Sequence, residues 1–308
     1  RKVNMTKQRI VSGMRPTGNI HIGHYHGALS NWVKLQEQYD CFFFCADWHA
    51  LTSEYKTPQI IKESRYEMFV DWIAVGVNPE KVILFNQSDI KEHSEFHLLL
   101  SMITPIPWLE RVPSYKDMQI QLQEKDLSTY GFLGYPLLQT ADIVIYQAHN
   151  VPVGIDQLPH IELSREIVRR FNSLYGDTLV EPECLLTSVP KLLGSDGRKM
   201  SKSFHNAIYF SDSEEEIQKK ILTHKTDPQR LRRNDPGNPD VCGIYDLHKL
   251  HSDTPLQEEV NSACRKAEIG CVDCKKKLLN NLFDFTRPIQ EKRSKLLQNM
   301  DEVKQIVC

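Results

Sequence analysis

Cys41-Phe42-Phe43-Phe44-Cys45-Ala46 is an unbroken apolar run, followed at once by the polar Asp47 and His49. A strand covered on both faces reads this way, because neither set of alternating side chains reaches water. Upstream, residues 8–13 read as a short strand. After the Gly18 turn, Ile22, Tyr25, Leu29, Trp32 and Val33 fall on one face of a helix, with His24 near its start. Downstream, residues 60–74 carry helical spacing, and Val82-Ile83-Leu84-Phe85 reads as another buried strand ahead of Asn86, Gln87 and Ser88. Strand and helix in alternation predict an α/β fold with a parallel, doubly wound sheet. Ligands collect at the carboxyl ends of such strands, where Ser12, Gly13, Asp47, His49, Gln87 and Ser88 are expected.

Prolines break the alternation over residues 104–113, and residues 115–172 read as helix apart from a turn at 150–154. Residues 104–172 are therefore expected to be a helical connecting insertion. Beyond a boundary near 204–211 the pattern is helical: 213–223, 241–251, 256–266, 271–285 and 288 to the end, with a polar loop at 226–240. This gives a catalytic domain over 1–205 and a helical domain over 206–308.

The 308 residues suffice for two cores. Hydrophobic content of 40%, charged content of 25% and a mean hydropathy of -0.44 belong to an ordinary globular protein. No apolar run could span a bilayer, so the expectation is a cytoplasmic protein with no membrane partner. A net charge of -2 decides nothing about nucleic acid, which responds to local patches. From Lys219 onward, 17 Lys and Arg face 13 Asp and Glu, a lean toward a polyanion that a solvated helical surface explains equally well.

Two short motifs carry the chemistry: Pro16-Thr17-Gly18-Asn19-Ile20-His21-Ile22-Gly23-His24 and Lys199-Met200-Ser201-Lys202-Ser203. Imidazoles, backbone N–H groups and mobile lysines are the donors that a leaving pyrophosphate needs. Together they resemble the "HIGH" and "KMSKS" elements of class I aminoacyl-tRNA synthetases, which have a Rossmann-like fold. Within that class, Ser12-Gly13-Met14-Arg15, Tyr135-Pro136 through Asp142, and Val151-Pro152-Val153-Gly154-Ile155-Asp156-Gln157 are similar to the tryptophanyl enzymes. Tyrosyl enzymes share a looser version of the pattern and are the closest alternative. A non-catalytic RNA-binding relative is the alternative of another kind, disfavoured by the intact His21, His24, Lys199 and Lys202.

The resemblance implies that Asp142 accepts the indole N–H of L-tryptophan, that Tyr135 and Gln157 hold its ammonium group, and that Val151, Val153 and His49 line the pocket. An indole offers one donor and no acceptor, so a buried acceptor in apolar surroundings suits it. For ATP, the matching positions are Arg15, Pro16, Thr17, Gly23, His24, Gly154, Ile155, Asp156 and the loop Lys199, Met200, Ser201, Lys202 and Ser203. Gly23 leaves room for the adenine, and Gly194 and Gly197 are expected to let the loop close. His21, His24, Lys199 and Lys202 are the expected catalytic residues. The implied reaction is attack of the tryptophan carboxylate on the α-phosphate of ATP with Mg²⁺, then transfer to the 2′-hydroxyl of tRNA(Trp). Gln139 and Val11 depart from the methionine and aromatic residue of many bacterial relatives. The resemblance also implies a homodimer formed through the inserted region, and no DNA partner.

Cys242, Cys264, Cys271 and Cys274 are separated by 21, 6 and 2 residues. Four thiolates with a Cys-x-x-Cys pair fit a tetrahedral Zn²⁺ or a [4Fe–4S] cluster, with reduced, unliganded thiols as the plain alternative. The run Ile269 to Lys277 resembles that of a bacterial subset of tryptophanyl enzymes carrying an iron–sulfur cluster, although the first gap there is 22 residues. Cys41, Cys45 and Cys184 are expected to be ordinary core thiols, and Cys308 ends the chain.

Overall fold

The computed structural model describes residues 7–113, 127–186 and 192–307. Five parallel strands, β1 (Arg9–Met14), β2 (Asp40–Cys45), β3 (Val82–Asn86), β4 (Asn150–Val153) and β5 (Glu183–Leu186), form one sheet in the order β3-β2-β1-β4-β5. Strand order reverses between β1 and β4, the position at which open α/β sheets bind ligands. Every residue of β2 is buried, as its continuous apolar run requires. Its phenylalanines serve both faces of the sheet. Phe43 stacks on Trp32 with ring centroids 4.2 Å apart, while Phe44 stacks on Phe85 at 5.4 Å within the core that also holds Phe42, Val11 and Ala141.

The chain folds as two compact units: Arg1–Gly18, Ala28–Val189 and Asn299–Cys308 form the first, and Asn19–Gly27 with Pro190–Gln298 the second. The sheet belongs to the first. The second is built on the helices Glu214–Thr223, Gly243–His251, Thr254–Arg265 and Cys271–Gln298. Ser213 caps the earliest of these, its hydroxyl accepting from Glu216 N while the Glu216 carboxylate accepts from Ser213 N.

Three local expectations are corrected. Residues 150–154, expected as a turn, hold strand β4. Its paired register with β1 is Ile10 opposite Asn150, and the proline sits beyond that pair. Pro288 does not end a helix: Cys271–Gln298 runs through it, with Leu282, Thr286 and Ile289 buried on either side. Packing of that stripe outweighs the lost backbone hydrogen bond. The helix after His21 is not uniform either, since a π-helical turn at Tyr25–Leu29 separates Ile22–His24 from Ser30–Leu35. No helix among the described residues is long and apolar enough to cross a membrane.

Candidate active site

In the first unit, Asp142 lies on the Tyr135–Val144 helix and is 1% exposed. A lone carboxylate there would be driven neutral, so its partners decide its state. His93 Nδ1 lies 2.6 Å from Oδ1 and His49 Nε2 lies 2.7 Å from Oδ2. The Gln87 amide N–H₂ donates to both oxygens, at 2.8 and 2.9 Å. Burial alone would raise the pKa, but the hydrogen bonds and charge of His49 and His93 carry it below the ordinary carboxylate value. Asp142 is therefore held as an acceptor. Gln87 is oriented in turn: its Oε1 accepts from the backbone N–H of Trp48 at 3.2 Å and of His49 at 3.4 Å.

These side chains stand where the sheet architecture places ligands. His49 is on the Asp47–Glu54 helix directly after β2, Gln87 directly follows β3, and His93 is in the first turn of Glu92–Ser101. Asp47 spans the first two segments, its Oδ1 accepting from Ser88 N at 3.1 Å and its Oδ2 from Ser88 Oγ at 2.5 Å. The Tyr135 ring meets His49 edge-on at 6.4 Å, and its hydroxyl lies 3.2 Å from His160 Nε2. Gln139 finds its use here, since its Oε1 lies 2.7 Å from His160 Nδ1. Burial pushes the His160 pKa down to about 4.

Val151 and Val153 are buried in the same apolar core as Val11, Phe44 and Ala141. Gln157 is half-buried in the 3₁₀ turn Ile155–Gln157, whose Ile155 and Asp156 are exposed, with Gly154 just before it. Arg15 hydrogen-bonds Ser53, and burial lowers its pKa. Thr17 N closes a turn onto Arg15 O at 2.9 Å with Pro16 between them, and Gly18 follows at φ 103°.

In the second unit the two motifs meet. Ile22 N donates to Ile208 O at 3.0 Å and Phe210 N to Ile20 O at 3.3 Å, tying the first motif to the strand-like segment that follows the lysine loop. The rings of His21 and His24 lie 3.7 Å apart. Burial, with the charge of Lys202 added, pushes His21 down to about 3, and burial with His21 and Lys202 pushes His24 well below the usual histidine value. Both imidazoles are neutral at physiological pH. A Cβ on Gly23 would meet the His21 ring at 2.9 Å and the Met200 sulfur at 3.5 Å, so this glycine also makes room for the histidine. Lys199 is exposed, whereas Ser201 and Lys202 are half-buried.

Asn206 shapes the loop and carries no sequence signal of its own. It is 2% exposed; its Oδ1 accepts from Ser201 N at 2.9 Å, and its Nδ2 donates to Asp196 at 2.7 Å and Lys199 O at 3.2 Å. Gly197 has φ 80°, which favours glycine, but Gly194 is required by close approach to Asn206.

The four cysteines gather in this unit as free thiols. Each bears on the charge of others: burial first, then Cys242, Cys264 and Cys271, push Cys274 up to about 12. Arg230 Nη1 donates to Cys264 Sγ at 3.7 Å and to Cys271 Sγ at 3.8 Å. Among the described residues, however, no three His, Cys, Asp or Glu side chains are arranged to hold a metal ion. Lys275 is 6% exposed and donates to Leu222 O at 2.8 Å and His224 O at 2.7 Å. The expectation for Cys308 lies outside the described residues.

Residues 4–286 match the family of class I tRNA synthetases (W and Y). The chain is 51% identical to the tryptophan–tRNA ligase of Thermotoga maritima, over 97% of this chain and 92% of that one. It is 44% identical to the tryptophan–tRNA ligase of Aquifex aeolicus, over 97% and 93% respectively. Among solved structures, the tryptophanyl-tRNA synthetase of Campylobacter jejuni complexed with ADP and tryptophan superposes with a TM-score of 0.87 at 33% identity, covering 97% and 92% of the two chains.

Proposed function

The chain belongs to the class I tRNA synthetases of the tryptophan and tyrosine group, and we propose that it is a tryptophan–tRNA ligase in which Asp142 reads the indole N–H. The observation that carries this reading is the buried, ionised Asp142, an acceptor held by three donors at the carboxyl ends of β2 and β3. An indole N–H pairs with it, and a side chain lacking a donor leaves it short of a partner, which costs roughly 1–3 kcal/mol or more. Tyr135 and Gln157 hold the ammonium group, and Val151, Val153 and His49 bound the ring.

MgATP is the second substrate. Arg15, Pro16, Thr17, Gly23, His24, Gly154, Ile155 and Asp156 bind it, and His21 and His24 donate as neutral imidazoles to phosphate oxygens. Lys199 and Lys202, with Met200, Ser201 and Ser203 around them, meet the charge that develops on the leaving pyrophosphate. The tryptophan carboxylate oxygen attacks the α-phosphorus, the bond to the bridging oxygen of pyrophosphate breaks, and tryptophanyl-adenylate forms. Transfer to the 2′-hydroxyl of the terminal adenosine of tRNA(Trp) then releases AMP. No covalent enzyme intermediate is needed; positioning and fixed charge supply the rate.

The helical residues 206–308 recognise the tRNA anticodon, and Cys242, Cys264, Cys271 and Cys274 hold a [4Fe–4S] cluster there. The Cys-x-x-Cys pair and the N–H groups that Arg230 directs at Cys264 and Cys271 support the cluster, which the four thiols hold by drawing closer together than the described residues place them. Its part is structural. The enzyme works in the cytoplasm as a homodimer, for which the exposed Leu98, Leu99, Met102 and Ile106 offer an apolar face. Pyrophosphate exchange with each amino acid in turn tests the assignment: tryptophan alone is expected to support it, and exchange with tyrosine in its place refutes it.

A further inference from the structure

His93 is, with Gln87, a fully buried donor to Asp142, and its second nitrogen is also engaged: Nε2 lies 2.8 Å from the Tyr146 hydroxyl. A carboxylate offers only acceptors, so Nδ1 of His93 donates to Oδ1, while Nε2 meets the Tyr146 hydroxyl. The chain Tyr146, His93, Asp142 thus holds the ring at both nitrogens. The rings of Phe44 and Phe85 flank His93 at 6.1 and 5.9 Å, and Phe42 and Phe85 pack on the half-buried Tyr146 at 5.0 and 5.3 Å, so His93 has no wet alternative.

The other two donors have other attachments. His49 reaches Asp142 from the more accessible side, with 11% of its side chain exposed, and Gln87 spans both oxygens from the β3 end. An ionised carboxylate has about four acceptor sites in its plane. His93 and Gln87 already meet Oδ1, and His49 and Gln87 meet Oδ2, so the substrate N–H takes the place of the most accessible of the three donors, His49, on Oδ2.

Resting on the reading of Asp142 as the indole acceptor, we propose that His93, braced by Tyr146, is a positioning residue for tryptophan specificity. It keeps Asp142 ionised and the Oδ2 that His49 now meets aimed at the substrate N–H, without touching substrate itself.

A pair of substrates separates this role from a general structural one: tryptophan and its benzothiophene analogue, which has sulfur where the N–H stands. Removing the His93 donor in His93→Leu is expected to raise KM for tryptophan roughly tenfold or more, the scale of a hydrogen bond to a charged group, with kcat little changed and the analogue unaffected. Discrimination between the two substrates then falls by that factor. His93→Asn places an amide donor where Nδ1 stood and is expected to restore most of the discrimination; Tyr146→Phe, which keeps the ring, is expected to lose part of it. These two carry the test should His93→Leu fail to fold. Equal loss for both substrates, no loss for either, or an asparagine variant no better than leucine overturns the proposal. Asp142→Ala is run alongside: if it leaves discrimination intact, the reading of Asp142 itself has failed. If it abolishes discrimination while the His93 and Tyr146 variants do not, only the positioning role has failed.

Discussion

The Cγ of Asn206 lies 2.2 Å from where a Cβ on Gly194 would stand, so the residue that organises the lysine loop occupies the space that one glycine leaves empty. Gly194 N also donates to Arg198 O at 2.7 Å, closing the turn from the other side. Gly194→Ala must displace a side chain that makes three hydrogen bonds, and overpacking of this kind costs about 1–3 kcal/mol. The expected outcome is a lower melting temperature together with slower adenylate formation. Asn206→Ala alone leaves Ser201 N and Asp196 short of partners, at about 1–3 kcal/mol. The double variant is the sharper measurement: because the alanine at 206 removes the two nearest atoms, Cγ and Nδ2, and leaves only its Cβ at 2.7 Å, the two losses are expected to sum to less than their separate values. Strict additivity in thermal melts would show that the two residues do not share this space.

Lys202 is half-buried beside the paired imidazoles and lowers the proton affinity of both. If its charge serves the departing pyrophosphate, Lys202→Ala removes a stabilisation present mainly in the transition state. That corresponds to about 3–4 kcal/mol, or 10²–10³ in kcat of activation, with KM for tryptophan little altered. Pre-steady-state adenylate formation reads this directly, and an unchanged rate would remove the loop from the chemistry.

The sheet and the two motifs were legible for identifiable physical reasons. The unbroken run at 41–46 admits only a strand covered on both faces, and Phe43 and Phe44 do pack on opposite sides of the sheet. Strand β4 was not legible, because four residues with a proline give no periodicity, and Pro288 concealed the continuity of a long helix. As a candidate, Asp142 could be singled out from its neighbours in sequence. His93, Tyr146 and Asn206 could not: each acts through a partner distant in the chain, and a histidine, a tyrosine and an asparagine singly have no pattern. Arg230 was likewise invisible among the many basic residues of its surroundings.

Several histidines make stability depend on pH. His21 and His251 are pushed down to about 3 and His26 and His160 to about 4, chiefly by burial, and His26 and His251 face each other with Nε2 atoms 3.2 Å apart. Unfolded, each titrates near 6.5. Below that pH the unfolded chain takes up protons that the folded chain refuses, so stability is full above about 6.5 and falls as pH drops toward 4 and 3. Urea midpoints at pH 7.5, 6 and 5 are expected to decline in that order, and His251→Phe to show a shallower decline. A midpoint independent of pH across this range would mean that these imidazoles are protonated in the folded protein.

Metal removal separates the two stages of the reaction. The thiols at Cys242, Cys264 and Cys274 have raised pKa values, mainly through burial, so loading a cluster releases protons and is favoured by higher pH. Anaerobically prepared protein is expected to be brown and to hold about four iron atoms per chain. Stripping them with a chelator is expected to lower the melting temperature and slow tRNA charging while tryptophan-dependent pyrophosphate exchange persists, because the cysteines lie apart in sequence from both motifs. Cys271→Ser is expected to reproduce the stripped state. Zinc in place of iron would reassign the site to a single tetrahedral ion. Metal-free protein with full charging activity would leave the four thiols without a ligand.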